Sequence, residues 1–354
     1  MNRILAFLPA LVLLFCGCTA DDDTTTDGFV RFDVETDAKT RGSVIDGASL
    51  PITESFRVFA WKTVSGETTP MMARDANDTE SNVVSNASGY WAPKKRYYWP
   101  SEADATVDYY AFYPKDYIVQ SSGDDLIVDF TIPAAVASQH DLMAAKTENI
   151  TLSSTSSGTY GAAPLTFHHL TSQIAFHAQL APAFAGWQVT VRSIRLCNVN
   201  SRGTYHYADG SITPASPAVL QNYDLVMAAA STAVTSTSEP VALTSATDVA
   251  MLMPQTLTAW DRTTESAGSA QPLTTGCYIA IGCTITDTQG RQAFTGITYV
   301  PLEAQWQKTR SYTYTLQFGS GYTGSGDLSV VNIALSCSIA DWQSGTVVSD
   351  EFRI

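Results

Sequence analysis

Three of the five histidines, His168, His169 and His177, lie close together in the chain, and such a group could bind a metal ion or move protons. No glutamate or cysteine stands beside them at a spacing that would complete a ligand set. In an extended strand successive side chains point to opposite faces, so His168 and His169 diverge. All three are read as structural. Serine, histidine and aspartate are present for a nucleophilic triad, but the sequence has no Gly-x-Ser-x-Gly elbow or other hydrolase signature. Asp124-Asp125 and the Asp104/Asp108 pair lack the ligand pattern of a calcium loop. The sequence therefore assigns no catalytic residue, no metal ligand and no cofactor, and the reading is not an enzyme.

The cysteines offer two kinds of chemistry. Cys197, Cys277, Cys283 and Cys337 could pair in an oxidising compartment. Cys277 and Cys283 sit in Cys-Tyr-Ile-Ala-Ile-Gly-Cys, which reads as a strand. Steps of roughly 3.3 Å hold them about 20 Å apart there, whereas a disulfide needs Cα atoms within about 7 Å. Buried free thiols are expected, with a bridge through Cys197 or Cys337 as the alternative. Cys18 offers lipid attachment. Met1-Asn2-Arg3 gives a positive start, Ile4 to Phe15 a short apolar run, and Phe15-Cys16-Gly17-Cys18 its end. The run is too short for a spanning helix and has the form of a secretory signal. Its end resembles a bacterial lipobox with Cys18 as the lipidated residue. Cys16 fits less well, because bulky Phe15 would then occupy the small-residue position. Asp21-Asp22-Asp23 behind it resembles the surface-export tag of Bacteroidetes lipoproteins. Residues 1–17 are expected to be a lipoprotein signal peptide, and the chain an outer membrane lipoprotein precursor.

The 354 residues carry a net charge of −14. Nucleic acid is disfavoured as a partner, since neutralising phosphates takes a basic surface. With 45% hydrophobic and 15% charged residues, the chain can build a packed core, and its length suits two domains.

The elements that would position these residues are strands. Phe29 to Val34, Ser55 to Trp61, Tyr97 to Trp99, Val107 to Tyr113, Leu126 to Ile132 and Leu142 to Ala145 are short runs of β-branched and aromatic residues, several ended by proline. The aromatics of residues 90–113 could stack sugars, but in alternating strands they are read as core. Ser153 to Gly161 is the candidate linker. Leu165 to Leu180 then alternates as one run, followed by Val189 to Cys197, Val249 to Met253, Tyr278 to Thr286 and Tyr312 to Phe318. Residues 205–275 contain long loops with no assignable place. Near the end Val331, Ile333, Leu335, Cys337 and Ile339 alternate, Asp341-Trp342 and Ser344-Gly345 interrupt, and Val348, Phe352 and Ile354 follow. Segment 328–354 is a candidate donor strand, able to fill a groove at home or in a neighbour. The expected division is a tether and first strand over 18–41, a β-sandwich domain over 42–160, and a second over 161–354.

The order of these pieces resembles the Bacteroidales fimbrillins, the subunits of type V pili. The matching residues are the lipobox at Cys18, Thr40-Arg41 after the first strand, Phe56-Arg57-Val58-Phe59-Ala60-Trp61 and Arg96-Tyr97-Tyr98-Trp99-Pro100. They continue with Tyr109-Tyr110-Ala111-Phe112-Tyr113-Pro114, His140-Asp141-Leu142-Met143-Ala144, Leu165-Thr166-Phe167-His168-His169-Leu170, Met253-Pro254-Gln255, Trp306-Gln307-Lys308 and Asp341-Trp342. The resemblance implies an all-β fold of two tandem transthyretin-like β-sandwich domains. It also implies a history: export, lipid anchoring in the outer membrane, a cut by an arginine-specific protease that releases the first strand, and filling of the groove by another fimbrial subunit's C-terminal strand. The cut is placed at Arg41-Gly42, because losing Val30, Phe32 and Val34 together opens a groove; a cut at Arg31 would split the strand. A structural subunit of a surface fimbria supporting adhesion is the resulting reading. A tip adhesin or monomeric lipoprotein binding glycan or host protein, and a lipid-retaining anchor, are the alternatives.

Overall fold

The computed structural model describes residues 28–36, 50–86, 89–122, 125–155, 161–261, 276–323, 332–341 and 347–348. Cys18, Arg41, Gly42, Val331, Phe352 and Ile354 lie outside them. The described residues form strands joined by turns, with three short 3-10 turns and no α-helix. None of them makes a helix long and apolar enough to cross a membrane.

The first half comprises β1 (Arg31–Thr36), β2 (Ser55–Val64), β3 (Glu67–Met72), β4 (Val83–Asn86), β5 (Trp91–Pro93), β6 (Thr106–Tyr113), β7 (Gln120–Ser122), β8 (Asp125–Thr131), β9 (Met143–Ile150) and β10 (Ala162–His169). A single sheet runs β3-β2-β4-β5-β1-β10-β9-β6, and β6 pairs back onto β2. Strands β2, β4, β5, β1, β10, β9 and β6 thus close into a ring. Phe32, Phe56, Tyr109 and Phe167 fill its centre, with Phe56 and Phe167 ring centroids 4.9 Å apart. Strands β2 and β6 have apolar groups on both faces. Phe56, Val58 and Ala60 point into this core, whereas Phe59 and Phe112 belong to a second, larger one. That double burial explains why Phe56 to Trp61 and Tyr109 to Tyr113 are so densely apolar.

Arg57 is the charged exception on β2, with only 5% of its surface exposed. Its guanidinium donates to Lys115 O at 2.9 Å, Thr79 O at 2.7 Å and Asn82 Oδ1 at 2.7 Å, pinning two loops to the strand. Burial lowers its pKa, an effect that nearby Glu80 opposes. Arg57→Met should cost about 3 kcal/mol, because the loop carbonyls lose their donors; chemical denaturation of the two proteins measures it.

The second half continues with β11 (Ser172–Leu180), β12 (Gln188–Asn200), β13 (Arg202–His206), β14 (Ile212–Pro214), β15 (Leu220–Asp224), β16 (Thr232–Val234), β17 (Val241–Ala242), β18 (Ala250–Leu252) and β19 (Thr256–Leu257). It ends with β20 (Tyr278–Thr286), β21 (Gln292–Pro301), β22 (Ala304–Gln305), β23 (Arg310–Thr323), β24 (Asn332–Asp341) and β25 (Val347–Val348). One sheet runs β17-β11-β23-β24-β25, with β18 also on β11; another runs β15-β12-β20-β21, with β16 on β12. Both contribute to the larger core, through Phe176, Leu316 and Ile333 on one side and Val191, Ile194 and Ile281 on the other. The halves share one uncommon trait. The first strand of each runs parallel to a late strand, β1 with β10 and β11 with β23, while every other ladder between these strands is antiparallel.

The halves are also sewn together. A separate sheet, β14-β13-β8-β7, takes two strands from each, with Arg202 opposite Thr131 and His206 opposite Ile127. Thr204 Oγ1 donates to Asp129 at 2.6 Å, and Tyr207 Oη donates to Ala111 O at 2.7 Å.

Three expectations change. The run expected over Leu165 to Leu180 is two strands, β10 in the first sheet and β11 in the second half. Strand β10 follows the candidate linker Ser153 to Gly161 yet still packs in the first core, so the chain passes between cores at Leu170-Thr171. No glycine or proline marks the crossing because Leu170 and Thr171 are themselves buried. The strand expected at Tyr97 to Trp99 is a lone bridge from Tyr98 to Phe29. Residues 205–275, where pattern assigns only Val249 to Met253, contribute β14 to β19, each at most five residues long, with β18 at that expected strand.

The cysteines Cys197, Cys277, Cys283 and Cys337 are free and buried. Cys197 packs with Trp260 and Tyr278, and Cys277 with the large core. Burial pushes the Cys197 and Cys277 thiols up to about 11 and those of Cys283 and Cys337 up to about 12. At neutral pH all four stay protonated and unreactive.

Candidate assembly site at the first strand

Strand β1 is held on both sides. It runs parallel to β10 from Arg31 opposite Ala162 to Thr36 opposite Phe167, and Phe32 pairs with Trp91 of β5. Before it, Val30 N–H donates to Tyr97 O at 2.7 Å and Trp99 N–H to Gly28 O at 2.9 Å. Alternation sends Val30, Phe32 and Val34 into the ring and leaves Asp33 and Glu35 exposed. The Phe32 ring meets Tyr109 edge-on at 5.3 Å and Phe56 at 6.4 Å. Arg31, the alternative cleavage residue, lies in this paired strand, its guanidinium 4.2 Å from the Phe29 ring centroid and 4.4 Å from that of Tyr90.

Gly161 closes the entry to the slot. Its φ of +77° is a left-handed value, and an added Cβ would lie 3.0 Å from Trp99 Nε1 and 3.3 Å from Phe29 O. Trp99 Nε1–H donates to Gly161 O at 2.9 Å. Gly161→Ala should cost about 1–2 kcal/mol from backbone strain alone. Thermal melts should show it as an earlier transition.

On the side of β10 turned away from β1, β9 pairs at His168 and His169. Arg31 N–H donates to Gly161 O, so odd-numbered residues of β10 address β1 and even-numbered ones point away. Pro164 therefore offers no N–H to that edge, a residue type that natural sheets place on edges to block stray pairing.

At the other end of the chain, β24 pairs with β23 from Arg310 opposite Asp341 to Thr323 opposite Asn332. Ile333, Leu335 and Cys337 are buried in the large core, and Ile339 packs partly against it. Arg310 Nη1 donates to Asp341 Oδ2 at 2.7 Å, closing the end of the ladder. On the outer side of β24, Ile339 pairs with Val348 and Ala340 with Val347.

Among the described residues the remaining polar side chains converge on no reaction centre. His169 Nδ1 lies 2.8 Å from Asp141 Oδ2, both side chains buried, whereas His168 is exposed on the opposite face. Burial lowers the pKa of His177 on β11. No spacing singles out His206, because its carboxylate partner Asp125 lies far away in sequence. Its Nδ1 lies 2.8 Å from Asp125 Oδ2 and its Nε2 3.1 Å from Thr213 Oγ1, a carboxylate–imidazole–hydroxyl row spanning β8, β13 and β14. The row ties the two halves together. Among the described residues no group of three His, Cys, Asp or Glu could hold a metal ion. An open cleft of about 440 Å³ is lined in part by Asn200 and Gln255, whose amides are already bonded to backbone groups.

The sequence profile of a family described as fimbrillin-like matches residues 47–342. The chain belongs to the fimbrillin-like family. Membership, rather than any missing constellation, is what sets enzymatic chemistry aside. Among solved structures, a fimbrial protein from Bacteroides vulgatus ATCC 8482 is similar over 89% of this chain and 99% of its own, with 15% identity and a TM-score of 0.57. That likeness shows a shared fold. The fimbrial anchor protein Mfa2 from Porphyromonas gingivalis aligns over 91% of this chain and 98% of its own, at 12% identity and a TM-score of 0.35. The tip fimbrial protein Mfa3 from the same organism aligns over 89% of this fimbrillin-like chain and 99% of its own, at 11% identity and a TM-score of 0.39. No curated protein matches the chain.

Proposed function

We propose that the chain is a structural subunit of a cell-surface fimbria, anchored first through lipid on Cys18 and then polymerised by strand exchange after an arginine-specific cut at Arg41-Gly42. The single observation that carries this reading is the place of β1 in the closed ring of the first half. Phe29, Val30, Phe32 and Val34 are all buried there. At roughly 1.5–3 kcal/mol for each such side chain, their burial is on the order of 6–12 kcal/mol, as large as the whole net stability of an ordinary domain, about 5–15 kcal/mol. A subunit stripped of β1 would expose an apolar slot between β5 and β10 and two unpaired edges. It would be driven to capture another strand. A cut at Arg31 is disfavoured because a protease needs an extended, accessible segment, and this one is paired on both sides.

The donor we infer is the tail that starts at Val347, not β24. Donating β24 would empty its own core of Ile333, Leu335 and Cys337 and break a long ladder. On its even-numbered face the tail offers Val348, Phe352 and Ile354, with Asp350 between the first two, where β1 and the residue before it offer Val30, Phe32 and Val34. A register that seats Phe352 where Phe32 was sets Ile354 at one neighbouring inward position and Asp350, at the mouth of the slot, at the other. Each subunit would then give at one end and receive at the other, a contact that propagates without closing. The partners are other fimbrial subunits, of this or another chain.

Mass spectrometry of the mature N-terminus in surface fimbriae tests the scheme, with Gly42 as the expected first residue. An Arg41→Ala chain should accumulate as lipidated monomer. Ladders of normal length from that variant on non-boiled gels would refute assembly by cleavage.

A further inference from the structure

We propose that the open edge of β21 is a contact surface for a second copy of this chain, the two strands pairing antiparallel about a two-fold axis at Ile297. Strand β21 ends the sheet β15-β12-β20-β21 and is paired on one side only, with β20. Two bonds fix which of its residues face β20. Leu302 N–H donates to Cys277 O at 3.0 Å, and across the sheet Leu225 N–H donates to Ile194 O at 3.0 Å. Bonded and non-bonded pairs alternate along an antiparallel ladder, so Phe294, Gly296, Thr298 and Val300 address β20. Thr295, Ile297 and Tyr299 turn their N–H and C=O groups outward, and no described backbone group meets them. Alternation also buries Thr298 and Val300 and leaves Ile297 56% exposed on the opposite face. Natural sheets guard such edges with charge, proline or shortness. The other described edges obey: β3 carries Glu67 and Pro70, β15 ends in Asp224, β7 and β14 have three residues each, and β17 and β25 have two. From Gln292 to Val300, β21 has no charged residue and no proline, and its one register shift lies at the Gln292 end.

The spacing of charge names the partner. Arg291 stands six residues before Ile297 and Glu303 six residues after it. Antiparallel pairing with Ile297 opposite Ile297 therefore sets Arg291 of each copy against Glu303 of the other, at both ends of the contact. In that register the outward groups also meet: the two Ile297 residues exchange both backbone bonds, and Thr295 exchanges both with Tyr299. The Ile297 side chains touch across the axis on the exposed face. Arg291 already holds Asp287 at 2.8 Å in its own turn, but its side chain is 78% exposed and its five donors can serve a second carboxylate. Glu303 is exposed and makes no ion pair among the described residues. Copies of a chain with net charge −14 repel one another over most of their surface. An uncharged edge flanked by one cation and one anion is a place where they can meet. A single strand edge makes a small interface, so the dimer is weak by itself. Along two fibres the contact would repeat, and many weak contacts would hold the fibres side by side. That consequence rests on the strand-exchange reading; the dimer does not.

Sedimentation of the uncut full-length chain, with detergent micelles in excess and from about 1 μM to about 1 mM protein, tests the contact together with residue-resolved hydrogen exchange. A dimer should form within that range. The amides of Thr295, Ile297 and Tyr299 should gain about tenfold protection as it does, while those of Thr298 and Val300, already bonded to β20, stay unchanged. Ile297→Lys sets two like charges on the axis and should weaken the dimer at least about tenfold. R291E and E303R should each weaken it about tenfold, and an equal mixture of the two should dimerise as the unaltered chain does, since each then supplies the charge the other lacks. Both positions are exposed, and Ile297→Lys is an independent check should either variant fold poorly. A monomer throughout the range, a dimer indifferent to Ile297→Lys, or a mixture no better than its components would overturn the proposal. Protection of the three amides at every concentration would show the edge covered within one molecule and overturn it too. So would protection of the dilute chain by a peptide of residues 347–354, which would give the edge to the tail. Polymer length on non-boiled gels is a separate readout: it tests strand exchange, and the dimer stands or falls without it.

Discussion

Removing residues 347–354 will leave a protein that folds, loses its first strand to protease and remains monomeric. The expectation comes from what that tail does and does not hold in its own subunit. Its described contact is the two-residue pairing of Val347 and Val348 with β24, short beside the ladder that β24 itself makes with β23. By contrast, a deletion from residue 328 also takes β24, and with it Ile333, Leu335 and Cys337 from the large core. Each truncated core side chain of that kind costs about 2–5 kcal/mol, so the longer deletion should unfold the second half and report nothing about donation. Phe352→Ala is the finer version. It should shorten polymers or slow their growth while leaving the monomer's melting temperature unchanged. Size-exclusion chromatography and non-boiled gels read both outcomes. Polymers of ordinary length from the chain lacking 347–354 would move the donor role to β24.

Phe32→Ala will open the ring from inside. Phe32 is 3% exposed and packs against Phe56 and Tyr109. Truncating a buried phenylalanine costs about 3–5 kcal/mol, a large part of what a domain has to spare. The first half should melt on the order of 10 °C earlier. A second effect should follow. With β1 loosened, uncut chains should bind a synthetic peptide of residues 347–354 that wild-type precursor excludes. Calorimetry with the peptide checks this. A variant that melts early yet never accepts the peptide would separate the stability of β1 from its exchangeability.

Much of the strand content was legible because it rests on a short-range signal. Ser55 to Trp61, Val107 to Tyr113 and Tyr278 to Thr286 combine β-branched and aromatic residues with polar or proline stops, and all three are strands. What escaped was long-range. The split at Leu170-Thr171 is invisible because alternation continues across a buried corner and no glycine marks it. The sheet shared between the halves depends on β8 meeting β13 across some seventy residues, a pairing that no local pattern records. The contact of Asp125 with His206 is hidden for the same reason. The first strand could be anticipated from Val30, Phe32 and Val34, but not its parallel pairing with β10. The family resemblance supplied the idea of a removable strand; the closed ring gives it a physical reason.

The join between the halves bears on how a fibre of such subunits would respond to flow. Five cross-strand pairs between β8 and β13 and a two-residue corner form a stiff join between the halves among the described residues. Bending would have to concentrate at the joints from one molecule to the next. The stiffness of the whole appendage, and the force at which it snaps, would then be set by a borrowed segment a few residues long.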